Sequence, residues 1–332
     1  MPFLDVSQKK LILGVLLIMS NITELNQENA KQIGLQLRRP LKEITLEDFE
    51  SIAKRKKYVT IGCKKIELEI EGFKELQPKE FVVEKTSVWS FPERGKWATH
   101  KYNAKFRGNW SPQVARNLLL LYSKSGDTVL DPFLGSGTSM IECILLKRRC
   151  YGVDINIDSV MLSWSRIKPI YSSDSFVKLF EGDAEYLDAF EDEKFDFILG
   201  HPPYASIIKY SKGSDGDLSK MSIQEYLEKM RRIARELYRI LKKDKYLAIM
   251  VGDIRRKKHV IPLGYMVMKI FLEEGFIIKE HIIKVQHNMI GTAFWKNKKN
   301  DFLLLKHEHI FVFRKPLDSS DYEKFQYYML YI

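Results

Sequence analysis

Between residues 111 and 313 short apolar runs alternate with stretches whose apolar positions recur every three or four residues. This is the pattern of strands covered on both faces by helices. The runs at 128–133, 150–154, 177–180, 195–200, 246–252, 276–285 and 309–313 predict seven strands, and the stretches at 111–122, 136–147, 160–167, 222–241 and 263–274 predict helices between them. No crossover helix separates the last two strands, so they are expected to form an antiparallel hairpin at one edge of an otherwise mostly parallel sheet. Upstream, residues 9–57 read as mainly helical, with Thr45-Leu46-Glu47-Asp48-Phe49-Glu50 as a capped start, and 58–73 as a hairpin turning near Gly62. The expected organisation is a small, mainly helical appendage over 1–90, an α/β domain over 91–316 and a tail over 317–332.

Composition narrows the class of molecule. Hydrophobic residues make up 45% and charged residues 29%, with 11 scattered prolines, which excludes disordered and collagen-like chains. The longest apolar run, 11–19, is far short of the ~20 residues that cross a bilayer. Ser20-Asn21-Ile22-Thr23 offers no signal cleavage site after it. Cys63, Cys143 and Cys150 are odd in number and lack metal-ligand spacing. A cytoplasmic protein without membrane association is therefore expected.

Net charge is +11, unevenly placed: 91–130 hold seven Lys/Arg against two Asp/Glu, 131–204 seven against thirteen, and 205–260 fifteen against seven. Basic segments around an acidic centre suit a polyanion gripped at the rim, although solvated helix faces would give the same totals.

The stretch Thr128-Val129-Leu130-Asp131-Pro132-Phe133-Leu134-Gly135-Ser136-Gly137-Thr138 ends a buried strand in a carboxylate, then supplies two glycines that let backbone approach a ligand closely. It is neither a G-x-G-x-x-G pyrophosphate fingerprint nor a P-loop. Asp131 instead suits a cationic group, such as the amino or sulfonium region of S-adenosylmethionine. Asp154, followed by Ile155, lies 23 residues further on, where an acid ending the second strand hydrogen-bonds ribose hydroxyls. Asp183 and Ala184, in Glu181-Gly182-Asp183-Ala184, follow the third strand, where a carboxylate can accept from an adenine amino group.

His201-Pro202-Pro203-Tyr204 follows the strand at 195–200. Two prolines hold the backbone extended beyond the sheet and aim its carbonyls and flanking side chains at one point. An exocyclic amino group is a poor nucleophile because its lone pair is delocalised into the ring. Acceptors from His201 and the Pro202 carbonyl would localise that pair while Tyr204 stacks on an extruded base.

Together these motifs resemble the amino-group DNA methyltransferases of restriction-modification systems, which methylate cytosine N4 or adenine N6. The segment Thr99-His100-Lys101-Tyr102-Asn103-Ala104-Lys105-Phe106, with the helix from Ser111, is similar to the part of that family that contacts the methionine end of the cofactor. The resemblance covers roughly 97–315. It implies a class I S-adenosylmethionine-dependent methyltransferase fold, base flipping, and double-stranded DNA as partner alongside a cognate restriction endonuclease. By the same resemblance His100, Tyr102 and Lys105 join Asp131, Pro132, Phe133, Gly135, Ser136, Gly137, Thr138, Asp154, Ile155, Asp183 and Ala184 as cofactor-binding residues. The family's tetrapeptide usually begins with Asp, Asn or Ser; His201 in that place favours cytosine N4 over adenine N6.

Arg255, Arg256, Lys257 and Lys258 suit a phosphate clamp beside the cleft, and Trp295, Lys296, Lys298 and Lys299 interleave an aromatic with cations as in a groove-entering loop. His307 and His309 alternate along a strand and read as edge-strand residues, so no metal site is expected. Two competing readings are methylation of an amino group in RNA and a non-catalytic DNA-binding subunit. The first 90 residues show no aromatic RNA-binding strand signature, and the intact motifs argue against loss of catalysis.

Overall fold

The computed structural model describes residues 40–62, 64–106, 108–204, 216–287 and 301–329, except the side chains of 104, 105 and 326–329. In chain order the elements are β1 (Lys42–Ile44), α1 (Leu46–Ala53), β2 (Tyr58–Ile61), β3 (Lys64–Glu67), β4 (Val88–Ser90), a 3-10 turn (His100–Lys105), α2 (Pro112–Tyr122), β5 (Thr128–Asp131), α3 (Thr138–Leu145), β6 (Arg149–Asp154), α4 (Ile157–Ile167), β7 (Val177–Glu181) and β8 (Phe195–Gly200). They continue as α5 (Ile223–Ile240), β9 (Leu241–Val251), β10 (Ile254–Arg256), β11 (His259–Ile261), α6 (Leu263–Glu273), β12 (Ile277–Val285), β13 (His307–Arg314) and α7 (Ser319–Met329).

Among the described residues the main sheet has nine strands in the order β1-β7-β6-β5-β8-β9-β13-β12-β4. Strands β5 to β9 run parallel, while β13 is antiparallel to both β9 and β12. The seven predicted strands form the centre of this sheet, and the final hairpin is present. It is not the edge, however. β4 pairs parallel with β12 and β1 antiparallel with β7, so the sheet is extended at both ends by strands of three residues, too short to show a period of two.

The helix at Thr45 forms as expected, with a capping box between Thr45 and Asp48, and the hairpin β2–β3 follows. The appendage expected up to residue 90 is not separate over 40–90, because Pro40–Ile332 is a single compact unit. Ile44, Phe49, Val59, Ile66 and Trp89 belong to the same buried cluster as Leu118, Val129 and Met140. Trp164 Nε1 donates to the Ile44 carbonyl at 2.7 Å, and Asp158 accepts from Thr60 N at 2.9 Å and Lys56 Nζ at 2.5 Å. The polar surface of this segment hid from the sequence how much of it faces inward. The expected tail carries α7, which Arg314 ties down through Asp321 at 2.7 and 3.0 Å. No described helix is long and apolar enough to cross a membrane.

Strand order reverses between β5 and β8, which places a crevice outside their C-terminal ends. Packed clusters cover both faces of the sheet, and long α5, opened by a Ser222/Glu225 capping box, buries Tyr226, Met230, Ile233 and Leu237 against it. The strand ends are thereby held rigidly around the crevice.

Candidate active site

The crevice is lined among others by Asp131, Gly135, Asp154, Asp183, His201 and Pro203. On one side three strands end in the same way. Asp131 accepts from Phe133 N at 2.9 Å, Asp154 from Asn156 N at 2.9 Å and Asp183 from Glu185 N at 3.1 Å. Each carboxylate thus closes a turn on the amide two residues ahead. Asp154 also accepts from Gly135 N at 2.8 Å, which fixes the glycine loop to the second strand end, and Asp131 takes a bond from Ser139 Oγ. Burial pushes the Asp131 carboxyl up to about 6 and the Asp154 carboxyl up to about 7. Carboxylates so desolvated favour a cation or hydroxyl donors beside them.

The loop keeps its shape through left-handed glycines. Gly135 has φ 55°, and a Cβ there would touch the Phe106 ring at 3.4 Å. Gly137, with φ 75°, precedes α3; a Cβ there would meet Ser163 at 3.0 Å. Pro132, Phe133, Ser136, Thr138, Ile155 and Ala184 also line the crevice, as does Phe106 at the end of the segment likened to the methionine-contacting part, together with Trp110 and Lys229, which the sequence did not single out. Lys229, nearly fully buried on α5, bonds Asp183 and the Gly216 carbonyl, the latter at 2.8 Å.

On the other side, beyond β8, four side chains form a line. The His201 ring stacks on Trp110 with centroids 6.0 Å apart, and its Nε2 lies 2.9 Å from the Tyr204 hydroxyl. That hydroxyl donates to Glu308 Oε1 at 2.8 Å, and Lys284 Nζ donates to Glu308 Oε2 at 2.9 Å. Gly252 leaves room for the ring, since a Cβ there would come within 3.1 Å of Tyr204. Burial lowers His201 to about 4, so the imidazole is neutral. Burial would raise Glu308, but Lys284 and the bonds from Lys284 and Tyr204 hold it below the ordinary carboxylate value. His201 Nδ1 is buried and has no hydrogen-bond partner among the described residues.

Comparison with known proteins places this arrangement. A family model described as DNA methylase matches residues 31–163 and 195–329, most of the chain. The chain belongs to this DNA methylase family. Its sheet is that of class I S-adenosylmethionine-dependent methyltransferases, and S-adenosylmethionine is the cofactor. A second model, for the methyltransferase domain of RMKL-like proteins, matches 101–261. The chain is 33% identical over 130 residues, 39% of its length, to a tRNA (guanine(10)-N2)-dimethyltransferase of Methanothermobacter thermautotrophicus. It is 31% identical over 114 residues, 30% of its length, to the Type II methyltransferase M.MjaI of Methanocaldococcus jannaschii. Each match spans 36% of the relative. The Type II beta methyltransferase M.BslI of Bacillus sp. is 27% identical over 177 residues, 47% of this chain and 18% of that protein.

Not every residue assigned from the family pattern reaches the crevice. His100 is fully buried, with Nε2 2.7 Å from Glu142 Oε1, an oxygen that also accepts from Trp97 Nε1 at 2.7 Å, while Arg116 holds Oε2 at 2.8 Å. Tyr102 turns away and donates to the Glu71 and Gly72 carbonyls. Both residues anchor the segment from beneath, and neither lines the cofactor cleft. Gly137 shapes the loop without lining it. The Lys105 side chain, and Trp295, Lys296, Lys298 and Lys299, lie outside the described residues.

The basic cluster is a two-residue hairpin, β10–β11, with Lys257 and Lys258 both left-handed at φ 46° and 70°. Such turns ordinarily use Asn-Gly, so lysines here carry strain of about 1 kcal/mol each. Arg255 is engaged by the Lys258 and Leu303 carbonyls and the Phe302 ring, and Lys258 pairs with Asp301 at 3.0 Å. Arg256 and Lys257 project as exposed cations. His309 spends both ring nitrogens inside the protein, Nδ1 2.9 Å from His281 Nε2 and Nε2 3.3 Å from Asp253 Oδ2.

Proposed function

We propose that the chain is a site-specific DNA methyltransferase that moves a methyl group from S-adenosylmethionine to the exocyclic amino nitrogen of a flipped base, cytosine N4 ahead of adenine N6. The observation that carries this reading is a neutral His201, with Nδ1 buried and without a partner among the described residues, on a ring that lines the same crevice as the three strand-end carboxylates. His201 Nδ1 and the Pro202 carbonyl accept hydrogen bonds from the two amino N–H groups and so localise the lone pair on nitrogen, the N–C bond forms as the methyl–sulfur bond breaks, and one amino proton is then lost to solvent, while Pro203 stiffens the loop and the Tyr204 ring stacks on the base. Bound S-adenosylmethionine supplies the electrophilic methyl on its sulfonium. When it is bound, Asp131 would face the cationic methionine end, Asp154 would accept from the ribose, and Asp183, held by Lys229, would accept from the adenine amino group.

Duplex DNA, not RNA, is favoured by the span of the DNA methylase match, which takes in both the catalytic loop and the β12–β13 hairpin. Arg256 and Lys257 lie toward DNA phosphates, and a cognate nuclease is the partner this activity implies. The 33% identity to a tRNA dimethyltransferase favours the second reading, RNA methylation. Transfer of tritiated methyl groups to duplex DNA, single-stranded DNA and RNA, followed by nucleoside analysis, separates them. Label in duplex DNA as N4-methylcytosine is expected. N6-methyladenine would correct the base, and label confined to RNA would overturn the DNA reading.

A further inference from the structure

The line His201, Tyr204, Glu308, Lys284 is assembled from three places in the chain: the loop after β8, the start of β13 and the directly opposed position on β12. Donor and acceptor bookkeeping along it has one solution. A lysine ammonium only donates and an ionised carboxylate only accepts. Lys284 therefore fills Glu308 Oε2, and the single hydroxyl proton of Tyr204 goes to Oε1. The Tyr204 oxygen then has only a lone pair to offer His201, so Nε2 must carry the proton. A neutral imidazole protonated at Nε2 has its lone pair at Nδ1, the atom that is buried and has no partner among the described residues.

We propose that Lys284, Glu308 and the Tyr204 hydroxyl are positioning residues that hold His201 as its Nε2–H tautomer and so reserve Nδ1 as the acceptor for the target amino proton. This inference rests on the reading of His201 as the residue that receives the amino group. A family member with an acid at this position has acceptor oxygens whatever its surroundings; a histidine becomes an acceptor only if something fixes its proton elsewhere. Glu308 is the device that does so, and Lys284 keeps it ionised. The groups facing Glu308 are Lys284 from β12 and His201 and Tyr204 from the loop after β8. Its neighbours His307 and His309 point, by strand alternation, to the other face of β13, where Asp253 and His281 meet His309.

The wild-type protein gives a direct test. Nitrogen-15 spectra of labelled histidine, with the His201 signals identified by their loss in His201→Gln, should show a protonated Nε2 and a bare Nδ1 at pH 7; the opposite tautomer would overturn the proposal. In Glu308→Gln the new amide must turn its oxygen to Lys284 and its NH₂ to the Tyr204 oxygen, so the tyrosine hydroxyl donates to His201 Nε2, which must then be bare, and the tautomer reverses to Nδ1–H. The expected readout is a reversed spectrum and kcat lowered at least tenfold, with S-adenosylmethionine affinity within twofold of wild type. Lys284→Met leaves a buried carboxylate without its cation and raises its pKa. Activity should fall at neutral pH and return as pH rises, a recovery that mere loosening of the hairpin would not produce. If His201→Ala keeps full turnover, the catalytic reading itself fails. If His201→Ala is inactive while Glu308→Gln changes neither tautomer nor kcat, the relay alone fails.

Discussion

The two sides of the crevice are built on different principles. On the cofactor side, Asp131, Asp154 and Asp183 are each held by the backbone amide two residues ahead, one turn repeated after three successive strands. On the target side His201 is set by a chain of side chains reaching 104 residues along the sequence to Glu308. A site held by backbone tolerates changes in neighbouring side chains but not in loop conformation. A site held by side chains is the reverse, and replacing one atom of one partner redirects it.

This contrast can be broken from either side. The largest expected effect is Gly135→Val: φ 55° excludes a β-branched residue, and the new side chain would press on Phe106. Calorimetry should find S-adenosylmethionine binding lost, more than about 100-fold weaker, in a protein that still melts cooperatively. Unchanged affinity would show that the loop is not backbone-critical.

A smaller, graded effect comes from pH. Burial raises Asp154 to about 7 and Asp131 to about 6, whereas the methionine end and ribose of the cofactor favour the ionised forms. Affinity should therefore be flat above pH 8 and weaken below 7 by up to about tenfold per pH unit for each group. Proton release on binding, read by calorimetry in buffers of different ionisation heat, checks the sign; proton uptake would contradict it. The smallest effect is expected at the rim. Arg256→Ala should weaken DNA binding modestly and reduce the salt slope by about one unit. Lys258→Ala, whose cation already pairs with Asp301, should leave that slope unchanged.

Legibility follows the same division. The seven central strands and the strand-end acids show in the sequence because each depends on local pattern: an apolar run, a carboxylate, then a turn. Glu308 and Lys284 do not, because nothing near either residue points to Tyr204. Lys229 looks like one more cation on an amphipathic helix, and Trp110 like one more core aromatic. His100 misleads for a related reason: the family pattern places its segment correctly, but only packing shows that Glu142 draws the ring under the segment and away from the cofactor.

The placement of β1 and β4 at opposite rims of the sheet governs the order in which the chain can assemble. Both strands leave the ribosome early, yet Ser90 meets His287, 197 residues later, and the Ile44 carbonyl waits for Trp164, 120 residues on. At synthesis rates of about 5–20 residues per second, β1 and β4 wait roughly 6–40 seconds for these contacts. A form beginning at residue 40 thus keeps both rim strands, whereas one beginning at 91 would leave β7 and β12 as open edges for aggregation.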